Sequence, residues 1–151
     1  MKKLFQLLLI LTITTSVAVS AASQTKQDST HKIYINKKGG ITDREGTKLG
    51  YIDKNDIVRN ANGAKLYFID KSGNVINAKG KKLGMAKKNG SYYNINGENI
   101  LNTKDEDKEK CAILDPAGHN QGTTHKNYKL HACAAHCFFL EQAKEKAGKK
   151  S

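Results

Sequence analysis

Hydrophobic positions in the middle of this chain recur at a fixed interval of seventeen residues. From Tyr34 onward the chain divides into four units of that length without a gap. The units are YINKKGGITDREGTKLG (34–50), YIDKNDIVRNANGAKLY (51–67), FIDKSGNVINAKGKKLG (68–84) and MAKKNGSYYNINGENIL (85–101). Self-similarity of this kind indicates a repeat architecture. The pattern therefore predicts a repeat domain over 31–101.

Four columns of each unit are apolar, at its first, second, eighth and sixteenth positions. In the first unit these positions hold Tyr34, Ile35, Ile41 and Leu49. Such a set is the minimum that a short, half-buried strand needs. We therefore expect all four columns to face inward.

Two turn signals separate the apolar columns. Columns five and six hold pairs such as Lys38-Gly39 and Ser72-Gly73, which are typical of two-residue hairpin loops with positive φ. The second signal has Asn or Asp at its first position and Gly at its fourth, as in Asp43–Gly46, and indicates a type I turn closed by a glycine bulge. Each unit is thus predicted to be one β-hairpin. Because one hairpin cannot bury its own apolar face, we predict a mainly β fold in which the hairpins form a closed or ring-like meander.

These units resemble the bacterial β-flower proteins, in which short hairpins rich in Lys, Asp and Gly radiate around a centre. The resemblance covers residues 31–101 and rests on the phrase D/N-x-x-G-x-x-L-G, which varies among the units at its last two positions. It implies a fold and no chemistry. His31-Lys32-Ile33 at one end, or the residues from Leu101 onward at the other, are candidates for part of a fifth unit, so a count of four or five stays open.

The beginning of the chain has the pattern of a secretory signal. Two lysines precede an apolar run that begins at Leu4, and small residues follow up to Ala22. This order predicts a signal peptide over 1–22, with export to the periplasm, the cell surface or the extracellular space. Threonines and serines interrupt the apolar run before it reaches the roughly 20 residues that a bilayer span needs. We therefore expect no transmembrane span in the mature chain.

The chain is strongly basic, with 26 Lys and Arg against 14 Asp and Glu and a formal net charge of +12. For an exported protein this charge favours an anionic glycan, lipid or protein of the cell envelope as partner over nucleic acid. Column four is lysine in every unit: Lys37, Lys54, Lys71 and Lys88. Ring closure would bring these lysines to one rim, either as solvated groups that discourage aggregation or as a site for an anionic ligand. No carboxylate pair and no Cys–His pair with an orienting Asp or Asn is evident, so no enzyme is predicted.

A segment of different composition follows the repeats. Residues 102–110 hold no apolar side chain and predict a charged linker. All three cysteines and four of the five histidines come after it. The predicted elements are a strand or knuckle at 111–114, a turn at 115–118, a second strand at 123–130 and a helix from about 131 to about 146. Together they predict a small β/α module over 111–147.

The cysteines of this module suggest a metal site. Cys133 and Cys137 are four positions apart in the predicted helix and share a face. If a loop brings Cys111 to them, three thiolates would suit Zn(II) or Cu(I) better than a hard ion. The spacing resembles that of the TRASH/YHS metal-binding modules over residues 111–143, where a knuckle cysteine precedes C-x3-C at a helix start. The second knuckle ligand that those modules often carry is missing here, so the fourth ligand is sought among His119, His125, His131 and His136.

The same cysteines allow a second interpretation, because thiols tend to oxidise outside the cytoplasm. A disulfide from Cys111 to Cys133 or Cys137 would join the knuckle to the helix and leave one thiol unpaired. The first hypothesis is therefore an exported, non-enzymatic protein that binds copper or zinc through its Cys/His cluster. The alternative is an interaction module that binds an anionic envelope component through its lysines and uses a disulfide to hold its C-terminal part.

Overall fold

The structure is a computed structural model and describes residues 31–150. The signal peptide predicted over 1–22 lies outside the described residues. The strands are β1 (Ile33–Ile35), β2 (Gly40–Thr42), β3 (Lys48–Ile52), β4 (Ile57–Asn60), β5 (Lys65–Ile69), β6 (Asn74–Asn77), β7 (Lys82–Ala86), β8 (Tyr92–Asn94), β9 (Asn99–Asp105), β10 (Lys110–Leu114) and β11 (Asn120–His125). A 3-10 turn at Lys126–Tyr128 leads into helix α1 at Lys129–Gly148.

All eleven strands belong to one closed barrel. Each strand pairs antiparallel with the next along the chain, and β1 pairs parallel with β11 to close the ring. The closing pair is parallel because an up-and-down chain with an odd number of strands begins and ends in the same direction. The predicted mainly β, closed meander is thus confirmed, and closure leaves no strand edge unpaired.

The turns at the two ends of the barrel share one geometry. The N–H of Gly39 donates to the carbonyl of Asn36 at 3.0 Å, and the N–H of Gly46 donates to that of Asp43 at 3.2 Å. The φ angles of these glycines are +82° and +84°. The type I turn with a glycine bulge predicted for the second signal is therefore confirmed. The first signal was expected to form a two-residue loop, but the Asn36 side chain accepts the N–H groups of Lys38 and Gly40 and holds a four-residue turn instead.

The core consists of the second and eighth columns of each unit together with one column that the pattern missed. Ile35 and Ile41 are buried as predicted. The first column was expected inside, but Tyr34 is 38 % exposed, because neighbouring positions of a strand face opposite sides of a sheet. The seventeenth column faces inward in its place, and its residues are Gly50, Tyr67, Gly84 and Leu101.

The C-terminal part of the chain completes the same barrel. Residues 102–110, expected to be a linker, form the second half of β9, a turn and the start of β10. The carboxylate of Asp107 accepts the N–H groups of Glu109 and Lys110 and thereby fixes this turn. The module predicted over 111–147 contributes β10, β11 and α1 to the barrel, so no separate knuckle forms. Pairing of β11 with both β10 and β1 requires this arrangement.

Helix α1 fills the barrel. Six consecutive residues, 131–136, are buried, and six residues cover the whole circumference of an α-helix. The predicted helix is confirmed, but its first half, residues 131–136, is buried on all sides and does not pack through one face. No helix within residues 31–150 is both long enough and apolar enough to cross a bilayer.

Small residues and rings alternate where the helix contacts the wall. A methyl group at Gly50 would come within 3.2 Å of the Phe139 ring, so the wall is narrow where that ring lies. Where the same column holds Tyr67, its ring packs against Phe138 with centroids 5.3 Å apart. This complementarity sets the depth at which the helix lies.

Candidate functional site

One end of the barrel carries the column-four lysines. The turns that join β1–β2, β3–β4, β5–β6 and β7–β8 lie at the same end, because hairpin turns alternate between the ends of a meander. We call the turns 36–39, 53–56, 70–73 and 87–90 the lysine arc. All four column-four lysines are exposed, and Lys54, Lys71 and Lys88 form no ion pair with any residue from 31 to 150. The topology of the closed barrel places these lysines on one rim, as predicted.

The repeat turns at the two ends of the barrel differ in charge. The lysine arc holds six lysines and three aspartates. The corresponding turns at the other end, 43–46, 60–63, 77–80 and 94–97, hold two basic and two acidic residues. Two of the arc's aspartates also hold its turns. Asp70 accepts the N–H groups of Ser72 and Asn74. Asp53 accepts those of Asn55 and Ile57, and its other oxygen accepts from Arg59 at 2.7 Å. The Arg59 hydrogen bond lowers the pKa of Asp53.

An acidic turn interrupts the positive charge at the end that carries the arc. The β9–β10 turn, 106–109, has three acidic residues and one lysine. Lys37 lies 3.7 Å from the Glu109 carboxylate, and Asp105 pairs with Lys126 and Lys129 at 3.4 and 3.0 Å. Hydrogen bonds from Lys129 and Cys111, and from Lys126, lower the pKa of Asp105 to about 2. The positive surface is therefore an arc over four turns and not a complete ring.

The residues predicted as metal ligands are spread over the barrel. His119 lies in the β10–β11 turn, where its Nδ1 is 2.9 Å from the Asp115 carboxylate. His125 caps the 3-10 turn at the opposite end of β11 by accepting the Asn127 N–H. A six-residue strand is about 20 Å long, so these two histidines cannot bind one ion. Among residues 31–150, no three His, Cys, Asp or Glu side chains come together in a way that could hold a metal ion.

The three cysteines are separate thiols, and none forms a disulfide within the described part of the chain. Cys111 in β10 donates to the Asp105 carboxylate at 3.2 Å, and Cys133 donates to the Gly90 carbonyl at 3.2 Å. Burial raises the pKa of Cys111 to about 11 and that of Cys137 to about 12. Metal binding stays a prediction from the sequence, without a gathered set of ligands to support it.

Two histidines of α1 lie inside the barrel without a hydrogen bond. Neither ring nitrogen of His131 or His136 has a hydrogen-bond partner among residues 31–150, and Nε2 of His131 lies 3.8 Å from a carboxylate oxygen of Asp56. Burial lowers the pKa of both imidazoles. For His136 the nearby charges of His31 and Lys144 act in the same direction, and its pKa falls to about 4.

We expect the barrel to lose stability as the pH falls from about 6.5 to about 4. The unfolded chain protonates His136 near its ordinary pKa of 6.5, whereas the folded chain protonates it only near 4. The unfolded state therefore binds the proton first, and His136 alone should lower the free energy of unfolding by about 3 kcal/mol across this window. Urea unfolding at several pH values would measure the loss. His136→Gln should flatten the profile, and His119→Gln, at an exposed turn, should not; equal profiles for both variants would contradict the assignment.

The interior also holds tyrosines that the sequence pattern treated only as core. The Tyr67 hydroxyl is buried without a partner among the described residues. Tyr92 is 3 % exposed and lines a groove where α1 leaves the barrel. The eighth column otherwise holds Ile41, Val58 and Val75, so the hydroxyl of Tyr92 is the one polar group in it. This single tyrosine in a column of aliphatic residues was the sequence signal that could have marked Tyr92 as a candidate functional residue.

Comparison with known proteins identifies no relative of this chain: no family model matches it, and no match was found among the curated proteins or among the solved structures. Function must therefore be argued from the site. Three features are available for that argument, namely the lysine arc, the separate thiols and the groove beside α1.

Proposed function

We propose that this is an exported, non-enzymatic protein that binds an acidic polysaccharide of the cell envelope on its lysine arc. The observation that carries the proposal is the concentration of lysine in four successive hairpin turns at one end of the barrel. Four turns at one end have six lysines against three aspartates, and the matching turns at the other end are neutral.

The spacing of the arc favours an elongated ligand. Successive turns of the arc are two strands apart, and neighbouring strands are about 4.8 Å apart, so the positive groups repeat every ~10 Å along the rim. A chain polymer with regularly spaced carboxylate or sulfate groups can contact several lysines at once. Each contact is weak, at about 0.2–1 kcal/mol for an exposed ion pair, so useful affinity requires several of them together.

The acidic turn 106–109 opposes docking of this end of the barrel on an anionic lipid surface. A flat anionic bilayer would meet the whole end of the barrel, including Glu106, Asp107 and Glu109, and like charges oppose that approach. A polysaccharide that follows the arc avoids these residues. The geometry therefore favours the glycan among the anionic envelope components.

The test compares two variants of equal net charge. One replaces the column-four lysines with glutamine: Lys37, Lys54, Lys71 and Lys88. The control replaces four exposed lysines at the opposite end: Lys79, Lys146, Lys149 and Lys150. Binding to polygalacturonate and to heparin is measured at low ionic strength by titration calorimetry, with neutral dextran as the blank. We expect the arc variant to lose about 1–4 kcal/mol, at least about fivefold in Kd, and the control to lose much less.

Three outcomes would contradict the proposal. Equal losses in the two variants would mean that net charge alone governs binding. Binding that persists when salt shortens the Debye length to about 3 Å would exclude an electrostatic contact. Arc-dependent binding to vesicles of phosphatidylglycerol, without binding to either polysaccharide, would replace the glycan by a membrane surface.

A further inference from the structure

A groove lies between α1 and the barrel wall at the end opposite the lysine arc. It encloses about 530 Å³, within the usual range of small-molecule sites of about 300–1,000 Å³. Its apolar lining comes from Leu83 and Ile100 on the wall and from Phe138 and Leu140 on the helix. Exposed charged residues stand at its mouth: Lys81, Glu141, Lys144 and Glu145. The helix–wall groove thus has an apolar interior and a polar entrance.

Tyr92 supplies a polar group inside this apolar lining. Its side chain is 3 % exposed, and its hydroxyl makes no hydrogen bond with any residue from 31 to 150. The hydroxyl occupies space that is free because residue 84 is glycine: a methyl group on Gly84 would overlap it. The hydroxyl is not among the fully enclosed, unpaired polar atoms of residues 31–150, so solvent in the groove reaches it. A group that enters the groove and accepts its hydrogen would take the place of that solvent contact.

Cys137 adds a second polar atom to the lining. It is half-buried, whereas Cys111 and Cys133 are buried, and its thiol has no hydrogen-bond partner within the described residues. Burial raises the pKa of the Tyr92 phenol, which therefore stays protonated and offers its hydrogen to a ligand. The apolar walls disfavour a charged ligand.

We propose that the helix–wall groove binds a small, uncharged, mostly apolar molecule whose carbonyl oxygen accepts a hydrogen bond from Tyr92. The four apolar side chains would hold the body of the molecule, and Tyr92 would fix its orientation. This site is independent of the lysine arc, which lies at the other end of the barrel. The half-buried thiol of Cys137 would lie beside the bound molecule and would not react with it.

Two dyes test the proposal. Nile red is uncharged and carries a carbonyl acceptor, and diphenylhexatriene is a hydrocarbon of comparable length without a polar atom. Both change their fluorescence when they enter an apolar site. We expect both to bind, and we expect Tyr92→Phe to weaken Nile red by about threefold to tenfold, the value of one neutral hydrogen bond, while diphenylhexatriene is unaffected. The matched control is Tyr93→Phe, since Lys87 lies over the Tyr93 ring at 4.6 Å on the outer side of the same strand.

A blocking variant locates the site. Gln142 lines the groove and is half-buried, so Gln142→Trp should fill the mouth and weaken both dyes at least about tenfold. The four-lysine arc variant should bind both dyes normally, which separates this proposal from the polysaccharide site. The proposal is overturned if Nile red does not bind, if Gln142→Trp leaves its binding unchanged, or if Tyr92→Phe and Tyr93→Phe affect it equally.

Discussion

Replacing Gly122 with alanine should prevent the barrel from closing. Gly122 pairs with Ile33 in the parallel β1–β11 contact and has a φ of +140°. A methyl group there would overlap the backbone carbonyl of Ile33, which cannot move without breaking the pair. We expect the free energy of unfolding to fall by more than about 4 kcal/mol, because strain and steric overlap act together. Urea unfolding followed by circular dichroism would measure it.

Gly118 offers a matched control for that substitution. It also has a positive φ, +88°, but no atom lies within 4 Å of the position a methyl group would take. Gly118→Ala should therefore cost only the backbone strain, about 1–2 kcal/mol. Similar losses for the two variants would show that the β1–β11 contact does not depend on the close approach at Gly122.

Placing a carboxylate on the buried part of the helix should unfold the protein. Ala135 is 0 % exposed, and Ala135→Asp would put a charge inside the barrel without a partner. Such a charge costs well above about 4 kcal/mol, so we expect loss of the cooperative unfolding transition. Circular dichroism during thermal unfolding would detect it.

A milder variant at the same position keeps this prediction testable if Ala135→Asp does not fold. Ala135→Leu overfills the barrel without adding charge and should cost about 1–3 kcal/mol. Ala147→Asp, at an exposed position near the helix end, should cost less than about 1 kcal/mol. If Ala135→Leu were as mild as Ala147→Asp, the helix would not fill the barrel.

The sequence pattern predicted the hairpins because their turns are encoded locally. Asx and Gly at fixed offsets, such as Asp43 and Gly46, determine the turn without help from the rest of the fold. Closure could be predicted as well, because a single hairpin cannot bury its own apolar face and neighbouring hairpins must therefore join. The side of the sheet that the first column faces was harder to predict. Tyr34 is apolar but lies outside, because strand alternation gives the inner position to its neighbour Ile35.

The C-terminal part was misjudged because its composition differs from that of the repeats. Residues 102–110 have no apolar side chain, yet they continue β9 and β10, where backbone pairing and the turn at Asp107 hold them. The helix had a signal that was available in the sequence. From Leu130 to Leu140 its polar side chains are His131, His136 and the two cysteines, with no Asp, Glu, Lys, Asn or Gln, and a helical stretch without a charged face is typical of one that is buried on all sides.

The candidate site was predicted only in part for a similar reason. The lysines could be placed on one rim because each belongs to a turn of known offset. The cysteines could not be placed, because clustering along the chain says little about clustering in space. Cys111 lies in a strand and bonds to Asp105, whereas Cys133 lies in the helix and bonds to Gly90.

The parallel contact between β1 and β11 also fixes when during synthesis the barrel can form. The paired residues Ile33 and Gly122 stand near the two ends of the described chain, and contacts of such long range form slowly. The segment that fills the interior follows directly after the strand that closes the wall. The earlier hairpins can pair as they emerge, but the ring stays open and its apolar face uncovered until translation reaches the helix.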